Sequence, residues 1–322
     1  MRAMKWWSTA VRGRDGGGTP CEVAISLFGK MPIAPDFLRR RCLAGPGASF
    51  REWLSSVEAT GEGVRSAWSL LHFVEGFPEA VIARIAPSMD ATGSRRFPLA
   101  LYAAVPRTSL RATAAERVRD VATAWFDLEE ASRAVESAGI ADLDEALDGR
   151  LVRLDGAAPP PAETVRLRAL AAAAGGDGGT EGLAPRLWRL RSVLADLANR
   201  RYRGPEIPCL SLPLAAGCSH PTQAVAWLEA LEPLGIGGAD DAPLNIAMPA
   251  GDVGAASGRA LELRLLPRPL LSRDGGDWLA SHAVEALPAS RISHRGYGRF
   301  ESELERRIAD DAPIASLSEL LS

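Results

Sequence analysis

The feature that most constrains the fold is an abrupt strand exit within Leu27–Arg40, Leu-Phe-Gly-Lys-Met-Pro-Ile-Ala-Pro-Asp-Phe-Leu-Arg-Arg. It follows the apolar run Val23–Leu27, and Gly29 with two prolines ends that strand, because proline has no N–H to donate to a sheet. A stiff loop of this kind holds its charged side chains, Lys30 and Asp36, in fixed positions. We therefore expect a recognition surface at this strand exit.

The order of the other patterns predicts an α+β fold. In the first half, the patterns predict a strand at Glu22–Phe28 and then a helix at Ser49–Thr60. Three further strands are predicted at Ala67–Val74, Glu79–Pro87 and Phe97–Val105, followed by a long amphipathic helix at Thr113–Ala138. Ser49 is the predicted N-cap of the first helix, and Pro98 is expected at a sheet edge or near the start of its strand. Because the strands lack a regular βαβ alternation, they favour an α+β sandwich over a doubly wound sheet.

The second half repeats strands and helices with weaker signals. They are predicted at Pro185–Arg200, Ile207–Leu214, Pro221–Leu231, Leu244–Met248, Leu261–Leu265, Gly276–Leu287 and Phe300–Ile308. Proline- and glycine-rich stretches separate the two halves. The sequence thus predicts a flexible lead-in at 1–20, a first domain at 21–155, a linker at 156–182 and a smaller α/β domain of unknown type at 183–322.

Composition excludes several classes of function. A net charge of −3 argues against a nucleic-acid-binding protein, which usually carries a basic stripe. No stretch approaches the ~20 apolar residues of a membrane span, and no secretory signal is evident. The cytoplasm, with reduced thiols, is therefore the predicted location.

Metal and cofactor sites are not indicated. The four cysteines form no CxxC pair and the four histidines show no ligand spacing. The glycine runs Gly16–Gly18 and Gly175–Gly179 lack the patterns of phosphate-binding loops. We expect no metal and no cofactor.

One segment, Cys218-Ser-His220, places a thiol beside a base and leaves a small-molecule hydrolase as an alternative. Neighbours in sequence rarely meet in the geometry that an activated thiol needs. The following proline and helix make Ser219 or His220 a helix cap instead. The favoured interpretation is a protein that is not an enzyme.

A second loop, Ser88–Arg96, combines the turn residues Asp90 and Gly93 with two arginines, Arg95 and Arg96. The arginines either pair with Asp90 and brace the loop, or face outward to meet an acidic or phosphate group. The sequence leaves both alternatives open.

Two stretches together resemble the TagF/ImpM family of bacterial type VI secretion. Phe28–Phe37 resembles its opening "GK-[LM]-P-x-x-G-D-F", and Pro87–Leu99 resembles its segment "PS-V-D-R-V-G-R-x-F-P-L". Trp53 falls where the family places a Trp-containing helix after the first motif, and Trp125-Phe126 on the later helix resembles the family pattern. The resemblance covers about residues 20–150, with Pro35 in place of Gly, Ala91 in place of Arg, and one extra residue near Ser94.

The resemblance implies a non-enzymatic regulator of the type VI secretion system that acts by protein contact. Family members are similar to post-translational repressors, with a forkhead-associated scaffold protein of the system as one partner. The resemblance further implies that the first domain is an α/β/α sandwich with a mainly antiparallel, longin-like sheet. An alternative is a structural scaffold subunit of the secretion apparatus.

The residues divide into two predicted groups. The candidate partner surface consists of Lys30, Asp36, Asp90, Arg95 and Arg96. The residues expected to determine the fold are Gly29, Pro32, Phe37, Trp53, Ser88, Gly93, Phe97 and Pro98.

Overall fold

The computed structural model describes residues 21–42, 45–59, 64, 66–74, 76–154, 165–175, 182–198, 209–215, 217–238, 243–250, 261–266 and 295–322. These residues form two compact units. The first holds the described residues of 21–111 and 120–154, and the second holds 112–119 and the described residues from 165 onward. The predicted lead-in at 1–20 and the predicted helix at Gly276–Leu287 lie outside the described residues.

The first unit is built on antiparallel strands. The strands are β1 Cys21–Ala24, β2 Ser26–Gly29, β3 Leu38–Arg40, β4 Trp68–Phe73, β5 Glu79–Ala86, β6 Leu99–Pro106 and β7 Leu151–Leu154. Five of them pair in the order β3-β2-β6-β5-β4, and β1 pairs separately with β7. The helices are α1 Pro46–Ala59, α2 Ala114–Ser137, whose first residues belong to the second unit, and α3 Leu143–Leu147.

Helix α1 covers one face of this sheet with aromatic side chains. The Phe50 ring lies 5.3 Å from Tyr102 of β6, and Trp53 stacks on His72 of β4 at 5.1 Å between ring centroids. All four side chains are buried. Trp125 of α2 donates its indole N–H to the Leu70 carbonyl at 2.9 Å, which anchors that helix to β4.

Two local predictions for this unit concern the N-cap of α1 and the position of Pro98. Helix α1 begins at Pro46, so the prediction of Ser49 as its N-cap is wrong: the Ala48 and Ser49 N–H groups already donate to the Gly45 carbonyl. Pro98 immediately precedes β6, an interior strand, which agrees with the expected position near a strand start and not with an edge.

The second unit combines three antiparallel strands with helices. The strands β8 Leu210–Pro213, β9 Asn245–Pro249 and β10 Glu262–Leu266 pair in the order β9-β10-β8. The helices are α4 Leu167–Gly175, α5 Leu183–Ala198, α6 His220–Leu231, α7 Tyr297–Ala309 and α8 Leu317–Leu321. The buried Trp227 of α6 donates to the Pro213 carbonyl of β8 at 2.9 Å.

Together the units confirm the predicted α+β class with antiparallel sheets, while the longin-like detail stays a prediction. Helix α4 lies within the range predicted as a linker, and Leu167 and Leu170 are buried there. That part of the range is therefore packed structure, because exposed connections do not bury large apolar side chains. The predicted domain limits otherwise stay a prediction.

Candidate interaction surface

Two loops of the first unit join beside the ends of β2 and β6. We call residues 30–37 and 87–98 the two-loop surface. The Ala91 N–H donates to the Ala34 carbonyl at 2.9 Å and links the loops directly. Within the second loop, Asp90 N donates to the Arg95 carbonyl at 3.1 Å and Met89 bridges Arg96, so this loop is a closed hairpin.

A buried carboxylate, that of Asp90, organises the two-loop surface. Its Oδ1 accepts from Thr92 N at 3.1 Å and from Thr92 Oγ1 at 2.6 Å. Its Oδ2 accepts from Arg95 Nε at 2.6 Å and lies 3.5 Å from Lys30 Nζ. Arg95 also donates to the Pro35 carbonyl of the other loop. One carboxylate therefore ties both loops together.

The charges of this network are complementary. The hydrogen bonds from Thr92, and then those from Arg95 with its positive charge, hold the pKa of Asp90 well below its usual range, against burial that would raise it. Asp90 and Lys30 are both almost completely buried. Buried charges are retained when they are paired and hydrogen-bonded, as Asp90 is here.

Gly29 explains why the first loop can lie so close to the second. Its φ is +137°, a conformation that side chains rarely adopt. A Cβ here would collide with the Pro98 carbonyl oxygen and lie 2.8 Å from Leu99 Cα. The end of β2 can therefore contact the start of β6 only if position 29 has no side chain.

Three phenylalanines form the floor of the surface. The ring of Phe37 lies 4.7 Å from that of Phe97 and 5.8 Å from that of Phe28, and Lys30 Nζ lies 5.1 Å above Phe37. Phe28 and Phe97 are buried, whereas Phe37 is 38% exposed. The floor therefore presents one aromatic ring to solvent.

The structure divides the predicted partner surface into two groups. Asp36, Arg95 and Arg96 are exposed, whereas Lys30 and Asp90 are buried. The expectation that the stiff loop displays the charge of Lys30 is therefore wrong, because the ammonium group is turned inward toward Asp90. Lys30 and Asp90 can shape the surface by holding its loops but cannot form its outer face.

Of the two alternatives predicted for the arginines, Arg95 follows the first by pairing with Asp90, and Arg96 follows the second by facing solvent. Arg95 pairs with Asp90 and braces the loop, with its side chain still 56% exposed. Arg96 is exposed, and among the described residues its side chain has no hydrogen-bond or ion-pair partner.

The residues predicted to determine the fold occupy several environments. Trp53 belongs to α1 and is buried against His72 of β4, and Gly93 has a φ of +69° in the hairpin loop. The Ser88 carbonyl accepts from Phe97 N at 3.1 Å, and Pro32 is exposed. Sequence reasoning missed Thr92, Ile33 and Met89, although the position of Thr92 two residues after Asp90 is typical of a side-chain-bonded turn.

The segment proposed for a hydrolase has a structural role at the start of α6. Ser219 is the N-cap, and its hydroxyl accepts from Thr222 N at 3.3 Å, as one of the predicted alternatives expected. His220 Nδ1 lies 2.8 Å from the Pro249 carbonyl. One ring nitrogen of His220 is therefore already engaged by the backbone.

The described residues show neither a metal-binding cluster nor a membrane-spanning helix. In the described ranges, no three or more His, Cys, Asp or Glu residues are grouped so as to hold a metal ion. Among the helices described, none combines the length and apolar character that crossing a membrane requires.

The fold is that of an α+β protein, and its candidate site is a pair of loops braced by Asp90. Residues 26–150 match the family described as TagF N-terminal domain, Type VI secretion system-associated. This match confirms the predicted resemblance to TagF over about residues 20–150, and it includes both loops of the two-loop surface.

Comparisons of the whole chain with curated proteins and with solved structures give no further information on function. Comparison with curated proteins gave no match. Among solved structures, the crystal structure of PA0076 from Pseudomonas aeruginosa PAO1 is similar to 82% of this chain and 97% of that chain, at 14% sequence identity and a TM-score of 0.40. A similarity at this TM-score supports no conclusion about the fold of this chain.

Proposed function

We propose that this protein is a regulator of the type VI secretion system that acts by protein contact through the two-loop surface. The match of residues 26–150 to a domain associated with that system supports an accessory role. The regulation that we propose is post-translational repression of assembly in the cytoplasm. The candidate partner is a protein of the same system, with a forkhead-associated scaffold protein as the first to test.

The observation that carries the proposal is the brace beneath an exposed, mixed surface. Three basic or acidic groups, Lys30, Asp90 and Arg95, fix two loops that are 60 residues apart in sequence. Loops held in this way lose little conformational entropy when a partner binds, which favours affinity. Ile33, Phe37 and Met89 are exposed on the same loops and provide apolar contact area.

The proposal is tested with two matched double variants. The surface variant combines Ile33→Ser with Arg96→Glu, which removes one exposed apolar group and reverses one charge. The α2 variant combines Phe126→Ser with Arg133→Glu on an exposed helix face of the same unit, where Phe126 is 57% exposed and the Arg133 side chain 63%. Both variants remove one exposed apolar side chain, reverse the charge of one arginine and spare the brace; the α2 variant also breaks the ion pair of Arg133 with Glu129 at 3.0 Å.

The measurement is the number of assembled type VI sheaths per cell, counted by fluorescence after each protein is produced to the same level. We expect the wild type and the α2 variant to lower the number of sheaths equally. The surface variant should leave it near the value of cells without added protein. If the surface variant represses as strongly as the wild type, this surface does not carry the function.

A further inference from the structure

We infer that the segment bound by the two-loop surface is an acidic stretch of protein that inserts an apolar side chain among Ile33, Phe37 and Met89. This inference rests on the proposed function and specifies the chemistry of the partner.

The first argument is local charge. The two-loop surface holds three cations and two carboxylates and is flanked by a fourth cation at position 39, although the whole chain has a net charge of −3. The cations are Lys30, Arg39, Arg95 and Arg96, and the carboxylates are Asp36 and Asp90. The surface is therefore a basic area on an acidic protein, and such an area attracts a negatively charged partner.

The second argument is where the negative charge of this area lies. Asp90 is buried, and its carboxylate oxygens are paired with Thr92, Arg95 and Lys30, so it presents no negative charge to a partner. Asp36 is exposed, but its Oδ1 already accepts from Phe37 N at 2.8 Å. The cations, by contrast, reach solvent at Arg39, Arg95 and Arg96.

Arg96 is the strongest recognition group among them. It is exposed and has no hydrogen-bond or ion-pair partner within the described ranges. A guanidinium group can bind a carboxylate through two parallel hydrogen bonds. Arg95 is fixed by Asp90 and the Pro35 carbonyl, so its charge is presented in one position.

The third argument is apolar exposure. Six large apolar side chains are exposed among the described residues, and three of them, Ile33, Phe37 and Met89, lie on these two loops. Phe37 is supported from below by Phe97, at 4.7 Å between ring centroids. A held aromatic ring beside arginines is typical of the residues that dominate binding energy at protein interfaces. This combination favours a protein partner over a nucleic acid, which would need a more extended basic surface.

The experiment is site-specific cross-linking in cells with an active type VI secretion system. The photoreactive residue p-benzoylphenylalanine replaces Ile33 in one protein and Phe126 in a control protein. The cross-linked segment is then identified by mass spectrometry, and the yield is measured with Arg96→Glu and, as its matched control, with Arg133→Glu. We expect a segment with net negative charge and an apolar residue at the linked position, found from position 33 and not from position 126.

Charge dependence gives the second measurement. Arg96→Glu should lower the yield at position 33 by about tenfold, since like charges oppose each other across the interface, and Arg133→Glu should leave it unchanged. Replacing one acidic residue of the identified segment by Lys should restore the yield with Arg96→Glu.

The outcomes separate the inference from the proposed function. A secretion-system segment that is neutral or basic, or a yield that Arg96→Glu does not change, overturns the inference and leaves the contact surface in place. Cross-linking to nucleic acid, or to no protein of the secretion system, overturns the contact surface and the inference together.

Discussion

Asp90 is the residue on which the shape of the two-loop surface depends most. We expect Asp90→Asn to lower the midpoint of thermal unfolding, because Lys30 would keep a buried charge without its counter-ion. Asp36→Asn, in the same loops but exposed, is the matched control and should change the midpoint little. Thermal unfolding of both variants at pH 7 checks this prediction.

The pH dependence of that difference follows from the pKa of Asp90. Because this pKa is lower in the folded protein than in the unfolded chain, ionised Asp90 stabilises the fold above its unfolded pKa of about 4. The stability difference between the wild type and Asp90→Asn should therefore shrink as the pH falls below about 4. A difference that is equally large at pH 7 and pH 3 would contradict the proposed role of the charge.

His72 gives a second prediction at the scale of one residue. It is a residue of β4 whose buried ring contacts the aromatic rings of Phe50 and Trp53, and burial lowers its pKa to about 3. The unfolded chain takes up a proton at about pH 6.5 and the folded protein does not, so stability should fall between pH 6.5 and pH 3. The slope from this residue approaches 1.4 kcal/mol per pH unit at about 25 °C.

The test compares the wild type with His72→Phe, which keeps a ring in contact with Trp53 and removes the titrating group. Urea unfolding at pH 7.5 and pH 5 should show a smaller pH-dependent loss of unfolding free energy in the variant. Equal losses in both proteins would mean that His72 is not the source of the pH dependence.

At the scale of single residues, the sequence indicated which residues belong to the two loops. It did not indicate whether their side chains face solvent or the interior. The loop 87–98 and its Asp90 could be predicted from turn residues, and the resemblance indicated both segments. The inward turn of Lys30 could not, because it depends on pairing with a carboxylate 60 residues away. A lysine in an isolated loop is usually solvated, and only tertiary structure supplies the partner that allows its burial.

At the scale of elements, the close approach of β2 to β6 depends on Gly29. Gly29→Ala should destabilise the first unit strongly, because the added Cβ meets the Pro98 carbonyl and the backbone is strained as well. Gly76→Ala is a useful control: its φ is +79°, and nothing lies within 4 Å of the position of its Cβ. The control should lose about 1–2 kcal/mol, from backbone strain alone.

Chemical denaturation of the two variants separates strain from contact. We expect the loss for Gly29→Ala to be clearly larger than that for Gly76→Ala. Equal losses would show that β2 and β6 can move apart to accept a methyl group, and that the loops are less firmly braced than we propose.

Elements with strong patterns were predictable, and short ones were not. The strand at 79–87 and the helix at 113–138 agree with β5 and α2 to within a residue or two, since periodic apolar positions define them. Strands β3 and β7 are only three and four residues long, too short for a periodic pattern, and β7 pairs with the distant strand β1. Helix α4 was missed because an alanine- and glycine-rich stretch is typical of a linker until its neighbours bury its leucines.

At the scale of the whole molecule, the candidate surface lies in the first unit, and so does the family match apart from residues 112–119. The match covers residues 26–150, and the surface uses two segments within it. The second unit supplies three paired strands and five helices among the described residues, and no residue of the candidate surface comes from it. We therefore expect contact with the secretion system to depend on the first unit.

The most direct measurement is quantitative co-purification of type VI secretion proteins with the tagged full-length chain from cells with an active system. We predict that the wild type and the α2 variant, Phe126→Ser with Arg133→Glu, recover the same secretion proteins in equal amounts. The surface variant, Ile33→Ser with Arg96→Glu, should recover about tenfold less while keeping the wild-type unfolding midpoint. Recovery of the same proteins in undiminished amounts by the surface variant would contradict the assignment of the two-loop surface as the site of contact.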